Sequence, residues 1–561
     1  KNRDLTNNFQ LNVHIMEGLM LKGQLGLRRT DGRTDNFKDP ADPVYDVTPA
    51  DQKGELSRQE NDNWSWNGKM MFYYNHVFGN HFINATAGGE ISESKTESLS
   101  YVLNGFQLGN MHEPQFAATQ ARPVNVSESK TRKIGFLASV NYAYNDIYLF
   151  DGSFRLDGSS DFGSDKQFAP FWSVGAGLNI HNYGFLKGHW LISRLKLRAS
   201  YGSTGNVGFA PYSAITTFQT ATDAWFFTGP AASLMALGNS RLTWQTTYKL
   251  DAGFNIGLLN DKITLEGSYY RNETEDLIDD VKIPAYSGFT SYKENSGATL
   301  NEGFEVALTS TLFQNKDWMV TFMANLSSNR RKITELSAEM NAYNETILAE
   351  YEKENSMYKD VLSRPLILYY EGKSLSAIYA VRSEGIDPAN GRERFVKKNG
   401  MSTYTWDAND QVVVGDTEPD AKGSFGINVA WKGFYLNTTF LYQWGAQDYN
   451  ETIKNKVEEA DIDGSNVDRR VLTQRWQNPG DIAPFFDLKN KQKTQPTSRF
   501  VQDNNYLAFS SISCGYDFNR DLIRKMRLTS LGLRFNMNDV CRWSNIKQER
   551  GTSYPYAKNY S

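Results

Sequence analysis

The connections between the strands of this chain alternate in length, and this alternation limits the folds that the sequence can adopt. Runs of alternating apolar and polar residues predict long strands. Short connections lie at residues 145–146, 182–184, 259–261, 315–317 and 432–433, and long ones at residues 157–168, 206–242, 281–301 and 333–422. Successive connections of an up-and-down sheet lie at opposite ends of its strands. One end therefore carries turns and the other carries long loops, which is typical of a transmembrane β-barrel with short periplasmic turns and long extracellular loops.

The stretch at residues 244–258 shows why these strands are predicted to cross a membrane. Tyr248, Leu250 and Phe254 share one parity, whereas Lys249 and Asp251 share the other. The alternation continues for about fifteen residues, and a tilted strand needs about 9–11 residues to cross the hydrocarbon core. We expect the apolar parity to face lipid and the polar parity to face water or a polar interior. About sixteen such strands are predicted in the chain.

The composition agrees with such an all-β membrane protein and argues against other classes. The chain has 561 residues and 13% aromatic residues, which suits aromatic girdles at two membrane interfaces. Its net charge is −4, and no dense run of lysine or arginine indicates a nucleic-acid partner. Two cysteines, Cys514 and Cys541, form neither a disulfide framework nor a metal-binding pattern.

Eight short segments occur along the chain in a specific order, and together they resemble the sequence pattern of a known family. They are RLDGSSDFG (155–163), LKLRASYGSTGN (195–206), NSRLTWQ (239–245), NEGFE (301–305), GIDPANG (385–391), GDTEP (415–419), RWQNPGD (475–481) and SRFV (498–501). In this order and spacing they resemble the SusC/RagA-type family of TonB-dependent outer-membrane transporters, and the resemblance covers essentially the whole chain. It implies a barrel of 22 strands in the intact protein, with a plug domain inside it, in the outer membrane of a Gram-negative cell.

The same resemblance implies the partners and the activity. A SusD-like surface lipoprotein would close over the extracellular mouth, and TonB would power the import of oligosaccharides or peptides. A dimer of this two-component complex and contact with outer-membrane lipid are also expected, whereas a nucleic-acid partner and a cofactor are not. No catalytic site is predicted, so the chain is not expected to be an enzyme.

Parts of the family pattern are not visible in the sequence. The plug, the TonB box and the first barrel strands are missing, so residues 1–561 are interpreted as the barrel portion of a longer transporter. The sequence also begins at Lys1 and reaches a strand almost at once, so the start of the gene product is expected upstream. A piece of this kind cannot close a barrel alone, because its open edges would leave backbone groups unpaired in lipid.

Aromatic residues in the long connections are the candidate ligand-binding residues, because flat apolar faces with polar edges suit sugar rings and peptide side chains. They are Trp225, Phe226, Phe227, Tyr286, Phe289, Tyr292 and Trp406. The competing interpretation, which we favour, is that these residues pack the loops or contact a lid subunit. A weak candidate metal site consists of Asp461, Asp463 and Asp468. It lacks the bidentate glutamate of a calcium loop, so a solvated turn is the preferred interpretation.

Two alternative functions remain open at this level. A passive porin or a barrel-anchored surface adhesin would use the same strands without TonB. A secreted glycan hydrolase is disfavoured by the strand lengths and by the lack of a catalytic constellation. The sequence does not indicate whether the cargo is a glycan or a peptide.

Overall fold

The computed structural model describes residues 1–162, 166–209, 211–227, 229–236, 238–282, 291–353, 362–462, 464, 466–490, 493–519, 523–524 and 527–546. The chain forms two compact units. The first comprises Lys1–Ala176, Gly202–Thr246 and Ile283–Asn295, and the second comprises Gly177–Tyr201, Thr247–Lys282 and Ser296–Ser561. Within the described residues, no helix is both long enough and apolar enough to cross a lipid bilayer.

Most of the chain is antiparallel β-structure, as the sequence predicts, and sixteen strands of the described residues belong to one main sheet. The first eight are β1 (Asn2–Met16), β2 (Leu19–Lys38), β3 (Glu55–Phe78), β4 (His81–Asn104), β5 (Thr119–Tyr144), β6 (Tyr148–Ser159), β7 (Phe168–Asn179) and β8 (Ile192–Asn206). A separate two-stranded sheet follows, formed by β9 (Thr217–Phe226) and β10 (Gly229–Ala236). The count of 22 strands in the intact protein stays a prediction.

The next strands are β11 (Gln245–Leu258), β12 (Ile263–Glu275), β13 (Ile278–Lys282), β14 (Ser291–Asn295), β15 (Ala298–Gln314) and β16 (Trp318–Glu335). Helix α1 (Ala338–Glu352) begins the longest connection. A small sheet in the same connection contains β17 (Ala377–Ile386), β18 (Glu393–Val396), β19 (Ser402–Thr403) and β20 (Gln411–Asp416).

The main sheet resumes with β21 (Ala421–Trp431) and β22 (Phe434–Trp444) and ends with β25 (Tyr506–Asp517) and β26 (Gly532–Ser544). The connection between β22 and β25 contains β23 (Gln447–Tyr449), α2 (Glu451–Ile453), a π-helical turn (Lys454–Glu458), α3 (Arg470–Thr473) and β24 (Val501–Asp503). Single 3₁₀ turns occur at Pro43–Tyr45, Ala50–Gln52, Pro114–Phe116, Ile180–Asn182, Ala408–Asp410 and Ser498–Phe500.

The predicted alternation of short and long connections is present along most of the main sheet, with an exception after β7. Strands β5 and β6 are joined by residues 145–147, of which Asn145 and Asp146 have positive φ (54° and 55°). Strands β21 and β22 are joined by only two residues, Lys432 and Gly433, with φ of 43° and 93°. Such left-handed residues give a two-residue hairpin the twist that its strands need. The connection predicted as a short turn at residues 182–184 is longer, because β7 ends at Asn179 and β8 begins only at Ile192. A 3₁₀ turn and further turns occupy the interval.

In the first unit, strand pairing places apolar and polar side chains on opposite faces. Trp66, Met70 and Phe72 of β3 share one face, and Asn67 and Lys69 share the other. The pairing of β3 with β4 continues without a shift from Glu55↔Asn104 to Phe78↔His81, so the two faces stay distinct along the pair. Tyr74 follows Trp66 by eight residues, about 26 Å along the strand. At the tilt of about 40° typical of barrel strands this is roughly 20 Å along the membrane normal, most of an apolar band about 25 Å tall.

Aromatic residues also mark the apolar face of the second unit. Phe440 stacks between Phe425 and Phe509, with ring centroids 5.1 Å and 4.4 Å apart. Near the short turn between β21 and β22, Trp318 stacks on Trp431 at 5.2 Å. The three phenylalanines suit an apolar band and the tryptophan pair suits an interface girdle, as the composition predicts.

Phe154 and Ser153 provide a test of the assignment of the two faces. Phe154 is 50% exposed on the apolar face of β6, and Ser153 lies on the polar face beside it. We expect Phe154→Arg to destabilise the folded protein by about 2–4 kcal/mol in lipid, because a charge would enter hydrocarbon. Ser153→Arg should be nearly neutral. Urea unfolding in lipid vesicles measures both variants, and equal effects would contradict the assignment.

Candidate functional site

Arg155 and Asp157 of the first family segment lie on the polar face of the sheet, within a charged network. The Arg155 guanidinium donates to the Asp157 carboxylate at 2.6 Å and also forms an ion pair with Glu90 of β4. Glu90 in turn lies 3.9 Å from the Lys69 Nζ atom of β3. The three strands β3, β4 and β6 thus contribute alternating charges to the same face. Because these side chains are partly exposed, the network contributes modestly to stability and mainly sets the electrostatic character of the face.

Three family segments that are distant in sequence meet beside this network. A cavity of about 300 Å³ is lined by Arg155 and Asp157 of the first segment, Asn206 of the second and Trp244 of the third. A Cβ atom at Gly205 would lie only 2.0 Å from the Phe171 ring, which explains why the second segment has glycine there. The three segments therefore bring the ends of separate strands together.

Buried aromatic rings hold this convergence in place. Trp244 stacks on Phe162 with ring centroids 4.5 Å apart, and Phe171 meets the Trp244 ring edge-on at 5.6 Å. The Trp244 Nε1 group donates to the Gln167 carbonyl oxygen at 3.3 Å, so its polar group is satisfied although the side chain is buried. Phe162, Gln167 and Trp244 are thereby fixed against the strand ends.

Two further family segments meet in the long connections of the second unit. Gly391 has a φ of +72°, and a Cβ atom there would lie 2.6 Å from the Trp476 ring. The Trp476 Nε1 group donates to the Pro388 carbonyl oxygen at 2.9 Å, and the Gly480 amide donates to the same oxygen at 2.8 Å. The segments at 385–391 and 475–481 thus link the connection between β16 and β21 to the connection between β22 and β25.

A buried ion cluster lies in the same unit. Arg499 of the SRFV segment donates to Glu393 at 2.9 Å and also pairs with Glu458, whose side chain is fully buried. Arg475 donates to the carbonyl oxygens of Phe486 (3.1 Å) and Glu458 (2.6 Å). A hydrophobic cluster adjoins these buried ions and consists of Tyr449, Val457, Val471, Phe485 and Phe500. These connections therefore have a folded core of their own.

Burial changes the acidity of Glu458. Because the carboxyl group of Glu458 is buried away from water, its pKa is raised to about 6. The nearby positive charge of Arg499 lowers this pKa, but it opposes the effect of burial only in part. One carboxylate oxygen, Oε2, has no hydrogen-bond partner among the described residues. The protonated carboxyl group is therefore favoured in the folded protein at mildly acidic pH.

Among the seven candidate ligand-binding aromatics, the structure describes the side chains of Phe227 and Trp406. Trp225 and Phe226 end β9, and Tyr292 lies in β14; only the backbone of these three is described. Phe227 is fully exposed in the turn after β9. Tyr286 and Phe289 lie outside the described residues.

Trp406 packs within the long connections. Its ring lies 5.2 Å from the Tyr351 ring, and its Nε1 group donates to the Pro496 carbonyl oxygen at 3.1 Å. A role in ligand binding for any of the seven aromatic residues stays a prediction.

The weak metal candidates have other contacts. Asp468 forms an ion pair with Arg470 at 2.8 Å, and Asp461 accepts a hydrogen bond from the Gly464 amide at 3.1 Å. Asp463 lies outside the described residues. In the part of the chain that the structure describes, no group of three His, Cys, Asp or Glu side chains is placed to hold a metal ion.

Reasoning from the sequence missed the buried ion cluster. Glu393 and Glu458 are separated from Arg499 by 106 and 41 residues, and no local pattern connects them. The only available signal was the SRFV segment, which marks Arg499 but does not show its partners.

A sequence model of the family described as "TonB dependent receptor-like, beta-barrel" matches residues 2–450, more than half of the chain. The chain belongs to this family. TonB-dependent receptor P39 of Formosa agariphila is 24% identical to this chain over 578 residues, and the match covers 96% of the chain and 54% of the relative. TonB-dependent receptor SusC of Bacteroides thetaiotaomicron is 24% identical over 474 residues, covering 82% and 46%. The chain thus spans about half the length of the curated relatives it matches.

Solved structures of the RagAB peptide importer share the fold. One superposes with a TM-score of 0.81 at 22% identity, covering 97% of this chain and 58% of that chain. The "closed-closed" state gives a TM-score of 0.82 at 23% identity. The predicted resemblance to the SusC/RagA type, the antiparallel β-fold and the outer-membrane location of this receptor family are confirmed. The family is one of transporters and receptors and not of enzymes.

Trp244 and Trp190 test the role of the aromatic cluster. Trp244 is 8% exposed, whereas Trp190 is 71% exposed. We expect Trp244→Ala to lower the free energy of unfolding by about 3–5 kcal/mol, because it leaves a cavity among Phe162 and Phe171. Trp190→Ala should change it by less than about 0.5 kcal/mol. Denaturant titration in detergent measures both, and a small effect of Trp244→Ala would show that the rings do not hold these connections.

The raised pKa of Glu458 predicts a pH dependence of local stability. Its proton is bound more tightly in the folded state, so the resulting stabilisation is full below pH about 4.5 and is lost as the pH rises through 6. The loss amounts to about 2 kcal/mol. Hydrogen exchange of the amides at residues 454–458 measures it as an opening free energy. In Glu458→Gln the dependence between pH 4.5 and 7 should disappear, and an unchanged slope would contradict the assignment.

Proposed function

We propose that this chain forms the barrel wall of an outer-membrane importer of oligosaccharides or peptides. The importer draws its energy through TonB and works with a SusD-like surface lipoprotein. The observation that carries the proposal is the two-faced sheet of a TonB-dependent receptor. An apolar face suited to lipid lies back to back with a polar face bearing Lys69, Glu90, Arg155 and Asp157.

The folded long connections support a role in capturing cargo. They carry their own hydrophobic cluster, an ion cluster around Arg499 and a small four-stranded sheet. A passive pore does not require ordered loops, whereas binding residues on loops require a rigid scaffold that positions them. The seven loop aromatics remain the proposed contacts to cargo or lid, and the fully exposed Phe227 is suited to either.

The named relatives support the energy source and the partner. The curated relatives are called TonB-dependent receptors, and one of them is SusC. The similar solved structures are of RagAB, described as a peptide importer and resolved in open and closed states. By analogy, we propose that the lipoprotein closes over cargo held at the long connections before TonB acts on the intact transporter.

Uptake by the intact protein in its host membrane tests this proposal. Cells would be supplied with labelled oligosaccharide or peptide mixtures, and the protein would be purified in detergent with its bound chains identified by mass spectrometry. We expect a SusD-like lipoprotein to co-purify. Uptake should fall to background when TonB is inactivated or the lipoprotein is deleted.

A strain that lacks the transporter is the control for uptake by other routes. Uptake that depends on this protein but persists without TonB would favour the passive porin. A protein that purifies without a lipoprotein and supports no uptake would favour the surface adhesin. Either result would contradict the proposal.

A further inference from the structure

A groove of about 560 Å³ lies on the apolar face of the first unit, where strands β1 to β5 run side by side. Two neighbouring rows of paired residues cross these strands and line it, from Phe9 on β1 to Phe136 on β5. The four other bordering residues, among them Lys69 and Glu90, have the opposite parity, and these two pair on the polar face at 3.9 Å. Apolar side chains and paired backbone therefore form the lining.

Three glycines form the floor of the groove, one on each of β2, β3 and β4. In the pairing of these strands Gly23 and Gly89 lie on either side of Met70, and Gly68 lies in the neighbouring row. The Met70 side chain is 57% exposed. Each glycine thus leaves the space of one side chain open between larger apolar neighbours.

Packing within the chain does not require these glycines. A Cβ atom at Gly23, Gly68 or Gly89 would lie 3.8, 3.6 or 3.4 Å from its nearest neighbour, which is ordinary van der Waals contact. At Gly26 and Gly88 of the same strands it would lie only 2.1 Å away. The three floor glycines also have no left-handed φ, and the strand pairing around them has no register shift. Glycine weakens a strand, and without a bulge it marks a place where another group approaches the backbone.

The position of the groove along the strands indicates which leaflet it faces. On the apolar face, Ile91 of β4 lies two residues from Glu93, and Ile134 of β5 lies two residues from Arg132. Glu93 and Arg132 pair at 2.6 Å and lie toward the long connection between β4 and β5. Charged side chains end the hydrocarbon-facing part of a strand, and long connections are extracellular. The groove therefore faces the outer leaflet, just below its head groups.

We propose that this groove binds one acyl chain of an outer-leaflet lipid and holds it while the surrounding lipid exchanges. The chain lies against the three floor glycines, and the lipid head group lies at the level of Glu93 and Arg132. Lipid tails are as apolar as the side chains, so binding within a bilayer depends on close packing. Bare backbone at glycine allows that approach and adds dispersion contacts. The volume falls within the range of about 300–1,000 Å³ that is typical of small-ligand sites.

The lining argues against other occupants. The side chains that line the groove on this face are apolar, so a polar ligand would lose its bonds to water without replacement. The backbone groups of the floor already pair with the neighbouring strands. A peptide segment would therefore bring unpaired N–H and C=O groups into hydrocarbon. An acyl chain has no such groups.

Native mass spectrometry of the intact protein, purified in detergent from its own outer membrane, tests the proposal. Lipid A is the probe for the outer leaflet, and phosphatidylethanolamine is the probe for the inner leaflet. We expect one lipid A molecule to remain bound after a detergent wash that removes phosphatidylethanolamine. Retention of phosphatidylethanolamine instead, or of neither lipid, would overturn the proposal.

Filling the floor distinguishes this groove from other lipid contacts of the protein. Gly68→Ile places a side chain in the groove, and the strand should tolerate it because isoleucine favours strands. We expect the bound lipid A to fall about tenfold, because the chain loses its close contact with the backbone. Ala87→Ile is the matched control. Ala87 is exposed on the same face of β4 but does not line the groove, so this variant should retain the lipid.

A second substitution keeps the test decisive if Gly68→Ile does not fold, which circular dichroism would show. Gly23→Ile fills the floor from β2 and should lower the bound lipid A in the same way. Unchanged lipid A in the folded glycine variants, or an equal loss in Ala87→Ile, would overturn the site. If the glycine substitutions instead separate a dimer and leave the lipid unchanged, a second copy of the chain covers the groove, which would also overturn the proposal.

Discussion

The structure depends on unbroken antiparallel pairing of long strands. Backbone N–H and C=O groups in hydrocarbon cannot bond to water, so each strand must satisfy them on its neighbours. Strands β3 and β4 do so over 24 residues without a register shift. Because the pleat sends successive side chains to opposite sides, this constant register fixes one apolar face and one polar face. A shift of one residue would exchange them, which explains why the alternation is so regular.

The long connections lie beyond this constraint and are stabilised in a different way. They bury their own rings, as Trp244 does against Phe162 and Phe171 in the first unit. In the second unit, the ion pairs of Arg499 lie against a cluster that includes Val457 and Phe500. Removing one partner of such a buried pair would leave an uncompensated charge, so these groups fix the arrangement of the loops more than they add stability.

Five of the eight segments that carry the family resemblance contact one another, three at the ends of strands and two between long connections. Gly205 makes room for Phe171, and Gly391 makes room for Trp476. Such positions depend on how the chain folds and not on the cargo of the proposed importer. This explains why the sequence reveals the family clearly and the cargo poorly.

The sequence by itself determined the class of fold. Period-two alternation, aromatic content and the alternation of connection lengths predicted long antiparallel strands with two distinct faces, and residues such as Asn145 and Asp146 predicted the tight turns. These are local properties, set by the pleat and by the φ that each residue tolerates. The connection after β7 was predicted too short, because its turns have no strong local signal.

Only the tertiary structure decided which distant side chains meet. The pairing of Arg499 with Glu393 and the hydrogen bond from Lys454 to Ser363 join two separate connections. The pairing of Arg499 with Glu458 and the packing of Trp406 against Tyr351 join distant parts of one connection. No periodicity encodes such contacts, because they depend on how whole loops pack after the strands have paired. The physical reason is that pairing is a repeating interaction between neighbours in the sheet, whereas a binding site is a single arrangement of residues that lie far apart in sequence.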